Sequence, residues 1–291
     1  ISALPLEAIE RVEVVADGSS ALYGSDAVGG VANVILRRDY DGASVSARIG
    51  GSTDGGDFEQ QYDIIAGRRW KSGGFMAAVD YRHTTPITAG QRTYTRNNDP
   101  SETLQAGLRQ YSVVLAGHQR IADGIDFDLD GQFSDRDTSL CVNFTATDGC
   151  RASGSDIRVN TRSWTVSPSL KFDIANAWQL KLGGVLGESR VDQTANVSSG
   201  GTLLLVQQGK YTNRISSFEV AAEGPLFQLP GGAARLAAGG GLRKTTLITN
   251  VATIQSGNTV PYLDFSVSRP IWYGFGERSL PFVSPDTDIM L

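Results

Sequence analysis

From Ala43 onward the chain alternates apolar and polar residues with a period of two. Ala43, Val45, Ala47 and Ile49 interleave with Ser44, Ser46 and Arg48. Phe75, Ala77, Val79 and Tyr81 interleave with Met76, Ala78, Asp80 and Arg82. The clearest run sets Ile125, Phe127, Leu129 and Phe133 against Asp126, Asp128, Asp130 and Gln132. Trp164, Val166, Leu170, Phe172 and Ile174 repeat the pattern, as do Trp178, Leu180, Leu182 and Leu186, and Phe218, Val220, Ala222 and Leu226. Successive side chains of a strand point to opposite faces, so each segment has one oily and one wet face. The pattern predicts about ten strands after residue 42, near 43–51, 58–70, 74–84, 110–121, 125–136, 161–174, 178–190, 213–226, 233–247 and 270–283.

The predicted connections alternate in length. Short turns fall at Lys71-Ser72-Gly73-Gly74, Ala122-Asp123-Gly124, Ala175-Asn176-Ala177 and Leu229-Pro230-Gly231-Gly232, and long polar loops near 85–108, 137–160, 191–212 and 249–261. A membrane barrel with brief turns on one side and extended loops on the other has this form, whereas a soluble sandwich spaces its turns more evenly. Trp70, Phe75, Tyr111, Trp164 and Trp178 stand near strand ends, where interfacial aromatic rings sit at headgroup level.

Composition agrees. Of 291 residues 40% are hydrophobic and mean hydropathy is −0.16. No stretch approaches the ~20 consecutive apolar residues of a spanning helix, while a barrel strand needs only ~9–11 alternating ones. The net charge of −5 lacks the basic footprint of a nucleic-acid binder. The two cysteines, Cys141 and Cys150, bracket a polar, turn-like interval. A loop-closing disulfide fits an oxidising compartment, the alternative being two unlinked thiols. With no histidine nearby, a zinc site would lack ligands.

Ahead of the alternating region, residues 9–38 read as a strand-like run from Ile9 to Val15, a turn at Asp17-Gly18, the small polar stretch Ser19-Ser20-Ala21-Leu22-Tyr23-Gly24-Ser25-Asp26, then Gly29-Gly30 and a second apolar run from Val31 to Leu36. Gly24, Gly29 and Gly30 permit positive φ or close backbone approach, and Tyr23 is suited to bury its ring while bonding its hydroxyl. Arg11 and Glu13 share one strand face opposite Val12 and Val14, where they can stay paired. A dinucleotide fingerprint would need G-x-G-x-x-G opening a helix; Gly24 to Gly30 lacks that spacing, and the run after it is β-branched. This segment resembles the last part of the plug domain of TonB-dependent receptors, the gated transporters of Gram-negative outer membranes.

The resemblance implies a chain that is all-β: plug C-terminal part over 1–42, and over 43–291 the N-terminal half of an antiparallel transmembrane β-barrel. It makes Arg11, Glu13, Asp17, Gly18, Tyr23, Gly24, Asp26, Gly29, Gly30 and Asn33 the structural and gating motif of the plug. It implies uptake of a large, scarce solute, a ferric siderophore, cobalamin, oligosaccharide or peptide, when the inner-membrane protein TonB pulls on the plug. The implied partners are TonB, outer-membrane lipid and the solute; no nucleic acid and no cofactor are implied. Many relatives carry Arg-Gly-Pro where this chain has Ala16-Asp17-Gly18, so an ion pair from that arginine to barrel acids is not expected. The Arg37-Arg38-Asp39-Tyr40-Asp41-Gly42 stretch that follows looks like a familiar branch of the family without fixing the ligand. The rival reading is a passive porin or structural barrel.

Other patterns yield to the alternation. Asp126, Asp128, Asp130, Gly131 and Asp137 mimic a calcium loop, but strand periodicity runs straight through them, and lumen-facing carboxylates are expected instead. His83 and His118 are the only histidines; His118 shares the wet face with Ser112 and Arg120. No G-x-S-x-G elbow and no nucleophile–base–acid set appears, so no enzyme, catalytic residue or metal site is expected. Asn143-Phe144-Thr145 matches a glycosylation sequon, which presumes a eukaryotic secretory route. Ile1-Ser2-Ala3-Leu4-Pro5 is no secretory signal, and Leu291 is not a terminal aromatic. The chain is therefore expected to be an internal fragment, folded as an open curved sheet with the plug piece against its concave face. The TonB-contacting segment is expected upstream of Ile1.

Overall fold

A computed structural model describes residues 4–15 and 30–283. A short 3-10 turn, Leu6–Ala8, leads into β1 (Ile9–Val15), which pairs antiparallel with β2 (Val31–Leu36) as a separate two-stranded sheet. The ten-stranded sheet comprises β3 (Gly42–Gly50), β4 (Glu59–Trp70), β5 (Gly73–Thr84), β8 (Gly107–Ala122), β9 (Ile125–Asn143), β10 (Gly154–Ile174), β11 (Trp178–Ser199), β12 (Thr202–Leu229), β13 (Gly232–Gln255) and β14 (Asn258–Ser279). Two short strands, β6 (Ile87–Thr88) and β7 (Thr103–Gln105), pair with each other inside the connection from β5 to β8. The large sheet is an antiparallel meander with β3 and β14 at its two edges, so it is not closed.

Register confirms the two faces. On one, Ile64, Val79, Val113, Phe133 and Trp164 lie side by side across five strands, with Ala66, Ala77, Leu115, Gly131, Val166 and Leu186 in the next row. Above them the rings of Tyr62, Tyr81 and Tyr111 follow one another at 6.2 and 4.9 Å. This is the lipid-facing pattern of an apolar band under an aromatic girdle. Trp70 closes the other end of β4, its indole Nε1 donating to Gln119 Oε1 at 2.8 Å.

The opposite, inner face carries Ile65, Met76, Ala78, Val114 and Ala116, which with Ala8 form the one cluster of fully buried apolar side chains among the described residues. Leu4, Leu36 and Tyr40 pack against it. The core therefore lies between the leading segment and β4, β5 and β8. At Gly67 a Cβ would stand 2.5 Å from the Tyr40 carbonyl oxygen, so glycine is what lets the linker lie this close.

One expectation is corrected. The long loops at 191–212 and 249–261 do not exist: β11 and β12 meet at Gly200-Gly201, and β13 and β14 at Ser256-Gly257. These strands run to 22, 28, 24 and 22 residues. A tilted strand crosses the hydrocarbon in ~9–11 residues. Beyond it both faces meet water, so the ladder continues after the alternation has faded.

Candidate functional site

The site lies where the leading segment meets the inner wall. The backbone Arg37 N–H donates to Ala8 O and its guanidinium Nε to Ile9 O, both at 2.9 Å, which binds the end of β2 to the start of β1. Arg38 then turns toward the sheet. Its Nη1 donates to Asp128 Oδ1 at 2.9 Å and its Nη2 bonds Asp130 Oδ2. Lys171 Nζ reaches the second Asp128 oxygen at 2.9 Å, and the Ser169 hydroxyl donates to it at 3.4 Å. Next to this, His118 Nε2 and Asp39 Oδ1 are 2.9 Å apart. Asp128 pairs in register with His118 and Ser169, which places all three on the inner face.

Two strand acids two residues apart thus hold one guanidinium between them. A forked cation over two carboxylates is a strong, directional contact. It remains separable, because the Arg38 side chain is 35% exposed and water competes for it. The acids were legible as lumen-facing. Arg38 as their partner was not, although a cation two residues beyond β2, facing acids whose nearest same-strand cation, Arg136, is six residues away, is a usable signal. The ion pair not expected from position 16 is supplied from position 38.

A second inner-face network sits further along β4 and β5. Gln61 Nε2 donates to Asp63 Oδ1 at 3.2 Å and Asp80 Oδ2 at 3.0 Å, and Arg82 Nη2 donates to Gln61 Oε1 at 3.0 Å. Asp63 and Asp80 are both buried.

The plug-motif residues are partly placed. Arg11 pairs with Glu13 at 2.8 Å and Glu10 at 2.6 Å, all three half exposed, and Asn33 stands opposite Glu13 in the ladder. Gly30 adopts φ 113°. Asp17, Gly18, Tyr23, Gly24, Asp26 and Gly29 lie outside the described residues.

At the far end of the sheet the connections form one cap. Cys141 and Cys150 are joined by a disulfide, with Cα atoms 5.5 Å apart. The Cys141 N–H donates to Thr103 Oγ1 at 2.8 Å, and Gly201 N–H to Ala152 O at 2.9 Å. Arg92 Nη1 donates to Gly55 O at 2.9 Å. Asp99 is the hub. Its Oδ1 accepts from the Ser101 hydroxyl at 2.5 Å and the Ser101 N–H at 2.8 Å, and its Oδ2 from the Gly149 N–H at 2.7 Å. The Ser101 hydroxyl foremost, then these backbone donors, hold its carboxyl below the usual carboxylate range. A depressed carboxylate stabilises the fold above its unfolded pKa, near 3.9, and the contribution disappears as pH falls through the folded value. Proteolysis of the 144–153 connection should accelerate once pH drops below about 4, and Asp99→Asn should remove that pH step. An unchanged step in the variant would exclude Asp99 as its source.

Residues 1–31 match the family model described as TonB-dependent Receptor Plug Domain. The vitamin B12 transporter BtuB of Photobacterium profundum is 30% identical over 145 residues, 50% of this chain and 22% of that protein. Among solved structures, the ferripyoverdine receptor of the Pseudomonas aeruginosa outer membrane superposes with a TM-score of 0.65 at 12% identity, over 93% of this chain and 39% of that one. The ferric citrate transporter FecA in its unliganded form gives 0.65 at 15% identity, over 96% of this chain and 42% of that one. At such identities the two structures speak to the fold. The chain spans about a fifth of the length of the curated relative and about two fifths of these structures.

Proposed function

Because this chain belongs to the TonB-dependent receptors of the Gram-negative outer membrane, we propose that residues 1–42 are the C-terminal part of its plug, residues 43–291 a sector of its barrel wall, and the whole an energy-coupled transporter. Its cargo is a large, scarce solute, a ferric siderophore, cobalamin, oligosaccharide or peptide, of which the relatives' names support the first two. TonB supplies the pull that displaces the plug.

The observation carrying this reading is the Arg38 latch on Asp128 and Asp130 beside the apolar seat of Ala8. A permanent structural barrel would gain more from an apolar seam, since partly buried ion pairs add little net stability. A seam of few apolar contacts and a solvated ion cluster holds at rest and parts under force. A passive porin constricts its lumen with a loop from within the barrel, whereas here the segment on the inner wall precedes the first wall strand.

The test is uptake of labelled cobalamin and ferric citrate by cells expressing the receptor, with and without TonB. Entry of either solute only in the presence of TonB supports the reading. Equal entry of small sugars into receptor-bearing liposomes, where TonB is absent, would support the porin instead.

A further inference from the structure

Two acids of the inner wall face each other with no cation between them. Asp63 of β4 and Asp80 of β5 are direct partners in the register, and Ser46 and Ser112 continue their row on either side. Asp80 is 3% exposed and Asp63 5%. One amide nitrogen, Gln61 Nε2, donates to both carboxyls, and the carboxyls lie within hydrogen-bonding reach of one another. The Ser46 hydroxyl donates to Asp63 Oδ2 at 3.3 Å.

The charged groups around the pair do not neutralise it. Arg48, Arg82 and Arg136 stand one row nearer the cap, in register with Gln61 and Gln110 rather than with the acids. Arg82 gives Nη2 to Gln61 Oε1, and its Nε faces Glu59 at 3.6 Å. In the leading segment Arg38 is held by Asp128 and Asp130, and Asp39 by His118. Among the described residues no lysine or arginine forms an ion pair with Asp63 or Asp80.

Two carboxylates pressed together away from water do not both ionise readily; one keeps a proton and donates it to the other. Loss of that proton leaves two like charges in a dry place, which draws in water. Position gives this a consequence. The next row on the same face is Ile65, Ala78 and Val114, the apolar seat of Ala8. Water drawn to the acids arrives at the edge of that seat.

We propose that Asp63 and Asp80 form a proton-operated catch on the plug seat: one shared proton keeps this part of the wall dry and the leading segment down, and its release to lumen water lets the segment lift. The seated state then binds one proton more than the lifted state. Seating is favoured at low pH and weakens as pH rises, by at most about tenfold per pH unit.

The receptor in outer-membrane vesicles is digested with trypsin at about pH 5 and about pH 8, each rate being divided by that of the denatured receptor at the same pH. Cleavage after Arg37 and Arg38 should be at least about tenfold faster at the higher pH. Asp80→Asn and Asp63→Asn each set one neutral donor against one carboxylate, so both should be cut slowly at either pH. Histidine also loses its charge between about pH 5 and 8, so His118→Gln is digested alongside, and the step should persist there. That variant reports even if an asparagine variant folds poorly. A native receptor without the step, an asparagine variant that keeps it, or its loss in His118→Gln overturns the proposal. Neither TonB nor solute enters the assay, so its outcome stands apart from the transport reading.

Discussion

Replacing Met76 by aspartate is expected to unseat the leading segment from the sheet while leaving the ten strands paired. Met76 is fully buried between Ala8 of that segment and Ile65, Ala78, Val114 and Ala116 of the wall. The substitution forfeits about 2 kcal/mol of apolar burial and places an ionisable group where it must either stay neutral or draw in water. Water reaches the seam only if the segment lifts. Trypsin should then cut after Arg37 and Arg38 in outer-membrane vesicles much faster than in the native receptor. Met76→Leu conserves volume and should behave as wild type, since such swaps cost less than ~1.5 kcal/mol. An unchanged digestion pattern in Met76→Asp would show that this seam does not hold the segment.

Arg38→Glu should open the same junction by a different route. The native cluster balances Arg38 and Lys171 against Asp128 and Asp130. The reversal leaves three carboxylates around one ammonium. Breaking a fully buried pair costs about 3–5 kcal/mol. With the guanidinium 35% exposed, water takes up part of that, and roughly 2 kcal/mol is expected, about a thirtyfold shift toward the unlatched state. The readout is leakage of a bulky antibiotic through the outer membrane, which should rise in Arg38→Glu and fall back in the double variant Arg38→Glu with Asp130→Arg. Leakage in the double variant equal to that of the single one would show that the pair does not act as a latch.

Much of the architecture was legible in the chain. The ten strands, their short turns and the parity of Asp126, Asp128 and Asp130 all follow from alternation, because lipid on one side and water on the other impose different chemistry on adjacent residues. The same physics explains the failure at 191–212 and 249–261. There the two faces stop alternating, mostly polar on both from Asp192 to Asn196 and apolar on both from Leu203 to Val206, so Val191 to Ser199 reads as loop although its backbone continues the ladder to Ser199. The hairpin residues Gly200-Gly201 and Ser256-Gly257 carry positive φ, which is the local signal that could have located these turns. Arg38 was invisible as a latch for another reason: its partners lie 90 and 92 residues away, and no local pattern encodes a contact at that range. The cap is similar. Cys141 and Cys150 could be paired from their spacing, but Asp99 as the hub joining two connections depends on how the strands bring Gly149 to it.

The central claim is that residues 36–41 are fastened to the inner wall at His118, Asp128 and Asp130. Cysteines at Asp39 and His118, whose side chains meet at 2.9 Å, test it most directly in outer membranes containing the receptor. A short thiol-to-thiol bridging reagent, which makes up the reach lost with the longer native side chains, should join them in nearly every molecule, so that tryptic digestion of the denatured receptor yields the peptide carrying position 39 linked to the peptide carrying position 118. If the reagent leaves those two thiols unlinked while Cys141 and Cys150 remain bonded, the segment does not rest where this account places it.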